Sequence, residues 1–413
     1  MVLTANPEQG KTIFDPCCGT GGFLAVAYEY LNQKSGKKIS STDIDTLKHD
    51  TFFGKEKENL VFPIALANLV LHGIDQPNIW HGNTLTNRTT YGALFEKAPP
   101  VFDYIFTNPP FGGKEGKDAQ KRYAFETSST QVLFMQDIMA HLSSEGTCAI
   151  VLDEGLLFRT NESAFVETKR KLVDECNVWA IVSMPGGVFT TAGADVKTNL
   201  VFFTKGRKTE KIWYYDLSHV KVGKKTPMTL AHFGYDKNGN IIDENKMPAT
   251  LTGNWSEDEN VKDEPFPTYA KMVAAKSESR YSWTVDFAAR RAEAWEKMQP
   301  HKEKAAGLRE KNIPLKEQLK VFKKEKKDRK DIEALEEKIN GIEKEIKEQE
   351  AIVADIDAKV FDLKAVNPNA VVKIDTRTTL EVIDNIESQS KIVEEAMSKL
   401  KILLNQSAKI ETE

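Results

Sequence analysis

Apolar residues follow two rhythms along this chain, and the change from one to the other divides it. In the first half, short runs rich in Val, Ile and Phe alternate with stretches whose apolar residues recur three and four apart. The short runs cover residues 12–14, 52–54, 78–81, 102–107, 147–152, 178–183 and 199–204, several ending in Gly, Pro or Asn, and they predict strands. Residues 22–32, 60–72, 131–141 and 162–176 carry the helical spacing. The alternation predicts an α/β fold with a doubly wound, mostly parallel, seven-stranded sheet. Ligands of such sheets bind beyond the carboxyl ends of the strands.

Residues 206–300 are less regular. Trp213-Tyr214-Tyr215 predicts a short strand, and residues 234–240, with Asp236-Lys237-Asn238-Gly239, predict a turn. Beyond Pro300 the sequence becomes rich in Lys, Glu, Ile and Leu. Positions 332, 335, 339, 342, 346, 349, 353, 356, 360 and 363 form one stripe in which only Gln349 is polar. A second stripe runs 383, 386, 390, 393, 397, 400 and 404. Sustained alternation of three and four predicts coiled-coil packing. Asn367-Pro368-Asn369 should break the helix between the stripes, so two antiparallel helices are expected. Three regions follow: residues 1–217, an irregular α/β extension at 218–300, and a helical arm at 301–413 that docks on another body.

The chemistry lies at two strand ends. The first predicted strand runs into Asp15-Pro16-Cys17-Cys18-Gly19-Thr20-Gly21-Gly22. A glycine loop between strand and helix lets a ligand approach the backbone closely. An acid at the strand end would repel a pyrophosphate and favours a cationic group. That points to S-adenosylmethionine, with its ammonium, over NAD or ATP. Asp15, Gly19, Thr20, Gly21 and Gly22 are therefore candidate cofactor residues. The next strand ends Gly54-Lys55-Glu56, and Glu56 is the candidate acceptor for the ribose hydroxyls. Asp43 and Asp45 are rivals, but they lie in a polar insertion at 35–50 without strand character. Asn83, after the third strand, can meet the cofactor's adenine edge through its amide, or serve as a turn residue.

The second site follows the strand at 102–107. Asn108-Pro109-Pro110-Phe111 fixes the backbone and presents carbonyl acceptors. The Asn108 side-chain oxygen and the Pro109 carbonyl can hold both hydrogens of one exocyclic amine, with its lone pair aimed at a methyl donor. Charge developing on nitrogen strengthens both bonds in the transition state. Phe111 offers a flat face for a flipped-out base.

The acid-Pro-x-x-Gly-x-Gly-Gly loop followed by Asn-Pro-Pro-Phe resembles amino-directed DNA methyltransferases of the S-adenosylmethionine-dependent, Rossmann-like fold. Residues 15–24, Gly54-Lys55-Glu56 with 69–74, residues 184–189 with 196–200, and 212–217 are similar to the modification subunit of type I restriction–modification systems. The resemblance covers residues 1–217 well. It implies adenine N6 as target, a specificity subunit, a restriction subunit and a second copy of the modification subunit. It also implies docking of the C-terminal helices on the specificity subunit. Two departures stand out. The family's helical domain and Thr-Pro segment before the glycine loop have no counterpart in a chain that begins shortly before Asp15. The family also more often has Asp where this chain has Asn83. The same tetrapeptide serves protein-glutamine and RNA methyltransferases, and an assembly subunit impaired in catalysis is a further alternative.

Charge and composition adjust this picture. The chain has 413 residues, 57 basic and 61 acidic, for a net charge of −4. An independent DNA binder carries a basic excess, so a partner is expected to supply much of the phosphate contact. Cys17, Cys18, Cys148 and Cys176 lack zinc-ribbon spacing, the histidines form no ligand pair, and no metal is implied. No apolar run approaches the roughly 20 residues of a membrane span, and residues 1–14 lack the features of a secretory signal. The expectation is a cytoplasmic protein without membrane contact.

Overall fold

The computed structural model describes residues 1–36, 40–190, 196–253, 255, 264–369 and 378–410. It forms two units, residues 1–369 and 370–413. Every segment expected as a strand is one: β1 (Ile13–Asp15), β2 (Phe52–Glu56), β3 (Asn78–Asn83), β5 (Phe102–Thr107), β6 (Leu142–Asp153), β7 (Cys176–Ser183) and β8 (Thr198–Lys205). They stand in the order β3-β2-β1-β5-β6-β8-β7, and only β8 runs against the rest.

The whole sheet has ten strands rather than seven. The Trp213-Tyr214-Tyr215 strand is β9 (Lys211–Asp216), parallel to β7. β4 (Arg88–Tyr91) and β10 (Ser282–Asp286) close the two edges as antiparallel strands. β4 gave no signal because all four of its residues are exposed, so no burial pattern marks it.

Helices cover both faces of the sheet, which is why its central strands read as unbroken apolar runs. α1 (Gly22–Ser35) and α3 (Phe62–Leu71) pack with Ile13, Phe52 and Phe106. α4 (Thr130–His141) and α5 (Ser163–Glu175) pack on the opposite face with Phe14, Phe102 and Ile105. The polar insertion also holds a helix, α2 (Ser41–His49), whose first turn Ser40 caps by accepting from the Asp43 amide at 3.1 Å.

The helical region differs from expectation. α6 (Phe287–Lys324) runs through the boundary placed at residue 300, with Pro300 and Pro314 inside it. A proline inside a helix removes one backbone hydrogen bond, and this helix continues through both. α7 (Arg329–Val360) carries the first heptad stripe and pairs antiparallel with α6. Lys316–Glu343 at 2.7 Å and Lys323–Glu336 at 2.6 Å bridge the pair. Ile339 and Ile346 are buried in the seam, with Ile346 beside Asn312 and Ile313 of α6. The one polar stripe residue has a partner there: Gln349 Oε1 lies 2.8 Å from His301 Nδ1. Downstream of α7, Phe361 and Leu363 are buried in the hydrophobic core on the α4–α5 face of the sheet, and the Leu363 amide donates to the Leu157 carbonyl at 3.0 Å. This hairpin therefore belongs to the first unit.

α8 (Thr379–Ile410) is the helix of the second unit and carries the second stripe. Ile383, Ile386, Val393 and Met397 are exposed by 45, 60, 59 and 52%. The side chains of Leu400 and Leu404 lie outside the described residues. No helix among the described residues is long and apolar enough to cross a membrane.

Candidate functional site

β1 lies between β2 and β5, so the connections leave it in opposite directions and open a crevice at its carboxyl end. Register brings the two motifs together there. Phe14 pairs with Ile105, so the glycine loop and the Asn108 loop leave the sheet at the same level. A hydrogen bond then fastens them: Thr107 Oγ1 donates to Asp15 Oδ1 at 2.7 Å. The Cys17 amide donates to the same oxygen at 3.1 Å.

Asp15 is only 1% exposed and stands behind the wall of the crevice, not in it. In this structure Asp15 holds the loop. Burial pushes its carboxyl up to about 7, against the pull of the bonds from Thr107 and Cys17. Unfolding would return it to about 4, so between these values the folded chain holds a proton that the unfolded chain releases. Stability from this group is thus full at low pH and is lost as pH rises through 7. Asp15→Asn keeps an acceptor and cannot titrate. The melting temperature of the wild type should fall more between about pH 5 and about pH 8 than that of the variant. Parallel curves in differential scanning fluorimetry would remove Asp15 as the titrating group.

A cavity of about 350 Å³ occupies the crevice. Pro16 and Cys17 of the glycine loop, Glu56 and Asn83, and Asn108 and Pro110 line it. Glu56 is 8% exposed, and each of its oxygens accepts one backbone bond. Gly19 donates to Oε2 at 2.9 Å and Glu58 to Oε1 at 2.7 Å. Each oxygen retains a lone pair for a further donor. Asp43 and Asp45 sit on α2 instead, where Asp43 takes part in the Ser40 cap and Asp45 pairs with His49 at 2.9 Å.

Gly19, Thr20, Gly21 and Gly22 form the turn beside the cavity without lining it. Gly21 has φ of +78°, and a β-carbon there would come within 3.2 Å of Leu69, so glycine is required. Cys17 and Cys18 act as small residues in the loop, and burial pushes both thiols up. Asn83 is a turn residue here: its Oδ1 accepts from the amides of Leu85 at 2.9 Å and Thr86 at 3.2 Å. It still forms part of the cavity wall.

Asn108 Oδ1 is buried and has no hydrogen-bond partner among the described residues. A buried acceptor without a donor costs about 1–3 kcal/mol, which a ligand's amine can recover. Pro109 is buried and Pro110 faces the cavity. Phe111 turns away and meets Phe189 edge to face, with ring centroids 5.3 Å apart. The cavity and this aromatic pair thus flank the Asn108 loop.

Residues 184–189 appeared in the sequence only as a similar stretch. That Phe189 meets Phe111 depends on how the loop after β7 folds back. The apolar walls supplied by Leu85 and Phe134 were also missed. Phe134 lies on a helix whose residues 130–139 are all buried, so nothing in the pattern marks the face toward the cavity. Among the described residues, no group of three or more His, Cys, Asp or Glu is placed to hold a metal.

The family model described as N-6 DNA Methylase matches residues 1–247. The methylase subunit of the type I restriction enzyme EcoEI from Escherichia coli is 38% identical over 240 residues, 56% of this chain and 46% of the relative. The EcoKI methylase subunit of Escherichia coli strain K12 is 32% identical over 282 residues, 62% of this chain and 50% of the relative. The chain thus spans about half the length of these curated relatives. Among solved structures, a chain of a type I restriction–modification assembly aligns with TM-score 0.54 and 26% identity, over 98% of this chain and 64% of that one. A modification subunit of a putative type I restriction enzyme from Vibrio vulnificus YJ016 aligns with TM-score 0.52 and 27% identity, over 70% of this chain and 54% of that one.

Proposed function

The chain belongs to the N-6 DNA methylase family, and on that footing we propose that it methylates the N6 amine of adenine in duplex DNA as the modification subunit of a type I restriction–modification complex. The methyl donor in this reading is S-adenosylmethionine, whose sulfonium supplies an electrophilic methyl group. One observation carries the proposal: Asn108 Oδ1 is buried and unpaired at the wall of the cavity.

The residues fit the donor and acceptor. Glu56 would take the ribose hydroxyls on its remaining lone pairs, with Gly19, Thr20, Gly21 and Gly22 shaping the backbone beside it. The Asn83 amide would face the adenine edge of the donor, and Asp15 would fix the loop from behind. On the acceptor side, the target adenine would flip out against Phe111, with Phe189 behind that ring. Asn108 Oδ1 and the Pro109 carbonyl would accept the two amine hydrogens and hold the nitrogen lone pair toward the methyl group. The amine is neutral, so no base has to act before attack. As nitrogen becomes positive both bonds strengthen, which lowers the barrier.

We assign the catalytic role to residues 1–217, braced by 218–300 and by the α6–α7 hairpin. The net charge of −4 leaves much of the phosphate contact to partners. A specificity subunit would read the sequence, with a second modification subunit and a restriction subunit completing the complex.

Cofactor binding tests the pocket. Glu56→Gln should weaken S-adenosylmethionine binding by roughly 1–3 kcal/mol, because an amide cannot accept on both sides. Phe111→Ala should leave that affinity unchanged and slow turnover on DNA. Calorimetry showing equal losses for both variants would refute this division of the site.

A further inference from the structure

A second cavity of about 360 Å³ lies across the first turn of α4 from the cofactor cavity. Thr130 lines the first cavity and Gln131 the second, and Gly112 and Gly113, which follow Phe111 directly, form part of the second wall. We propose that this cavity is an anion subsite that grips a phosphodiester of the DNA strand carrying the target adenine. The inference rests on the DNA reading given above and adds a binding site to it.

Three independent donors border it. α4 is twelve residues long, and no side chain caps its N-terminus at Ser129. The Thr130 amide is taken by the Gly113 carbonyl at 3.1 Å, which leaves the next amides of the first turn for an anion. Gln131 is 2% exposed, and its Nε2 has no partner among the described residues. Its Oε1 is held by the Asp153 amide at 3.3 Å, which fixes the side chain while leaving both amine hydrogens unspent. Lys114 is exposed at the rim and has no described ion-pair partner.

Two carboxylates also line this cavity, and both are engaged elsewhere. Asp153 Oδ1 accepts from the Leu156 amide at 2.6 Å and caps the helix Glu154–Phe158. Glu162 Oε1 takes Arg159 at 3.2 Å, and the guanidinium also lies over the Phe165 ring. The donors that remain unspent are an ammonium, an amide and helix N–H groups, a set suited to a phosphate oxygen.

Position supports the same ligand. Gly112 is four residues from Asn108, so even an extended chain keeps them within roughly 14 Å. An anion held there lies beside the target nucleotide, where its backbone must be gripped while the base leaves the stack.

The full chain, assembled with its sequence-reading partner, provides the test. The recognised site is first read from methylated adenines in cells that express both. Short duplexes are then made with one uncharged methylphosphonate at each linkage around the target adenine. One flanking methylphosphonate should slow single-turnover methylation by the wild type about tenfold or more. Lys114→Met should be slower on the all-phosphate duplex by a similar factor and indifferent to that same methylphosphonate. Gln131→Glu, which keeps the acceptor for Asp153 and replaces the donor, should behave likewise, and both variants should bind S-adenosylmethionine as the wild type does. A wild type that methylates normally but is indifferent at every flanking linkage overturns the inference alone. So does Lys114→Met remaining fully sensitive. If inorganic phosphate raises the melting temperature of the wild type but not of Lys114→Met while the scan is flat, the cavity takes free phosphate and the inference also fails. A wild-type complex that methylates no adenine defeats the functional reading and this inference together.

Discussion

Asn108→Ala should lose methyl transfer by roughly 10²–10³-fold or more, yet fold at least as well as the wild type. The two halves of this expectation have one cause. In the resting protein Asn108 Oδ1 is a buried acceptor with no donor, a state that costs about 1–3 kcal/mol. Alanine removes the acceptor and that cost with it, so the melting temperature should hold or rise. In the reaction the same atom is one of two acceptors proposed for the target amine, and its bond strengthens as nitrogen becomes positive. Its loss therefore falls on the transition state more than on binding. Single-turnover methylation by the assembled complex, beside calorimetry with S-adenosylmethionine, separates these effects. Cofactor affinity should be unchanged. A variant within a few-fold of the wild-type rate would show that Asn108 does not position the amine. A variant that is active but unstable would make Asn108 a structural residue.

How far the sequence is legible follows from where each signal originates. The seven central strands could be read because both of their faces are buried, and burial writes itself as Val, Ile and Phe. β4 could not, because its Arg-Thr-Thr-Tyr run faces solvent throughout. Asn108 and Glu56 could be placed at the crevice because both stand at strand ends, and both line its cavity. Asp15 could be placed in its loop, but its partners there could not be read. Its contact with Thr107 arises from strand register between β1 and β5, which is a tertiary fact. Phe134 and Phe189 reach the site through helix rotation and loop closure, and neither is encoded in local spacing. The hairpin shows the opposite failure. The change of composition beyond Pro300 gave a local signal for a boundary, and α6 runs through it along the seam with α7.

That seam changes which surface is expected to hold a partner. The first stripe is covered within the chain, since α6 buries Ile339 and Ile346. The second stripe, on α8, leaves Ile386 and Val393 about as exposed as surface residues. Fully burying such side chains is worth roughly 1.5–3 kcal/mol each, so a continuous stripe of them is a strong reason to associate. If α8 fastens the chain to the specificity subunit, the double substitution Ile386→Asp with Val393→Asp would place unpaired charge in that contact, which is strongly unfavourable. The first unit should stay folded and keep its affinity for S-adenosylmethionine, while assembly and site-directed methylation of DNA are lost. Ile346→Asp is the informative contrast. It strikes a seam closed within the chain, so it should lower thermal stability and helix content whether or not a partner is present. Size-exclusion chromatography with the partner, circular dichroism and a methylation assay distinguish the two patterns. Co-elution of the α8 double variant with its partner at wild-type affinity would show that α8 is not the docking element. Loss of assembly by Ile346→Asp alone would instead place the contact on the α6–α7 hairpin.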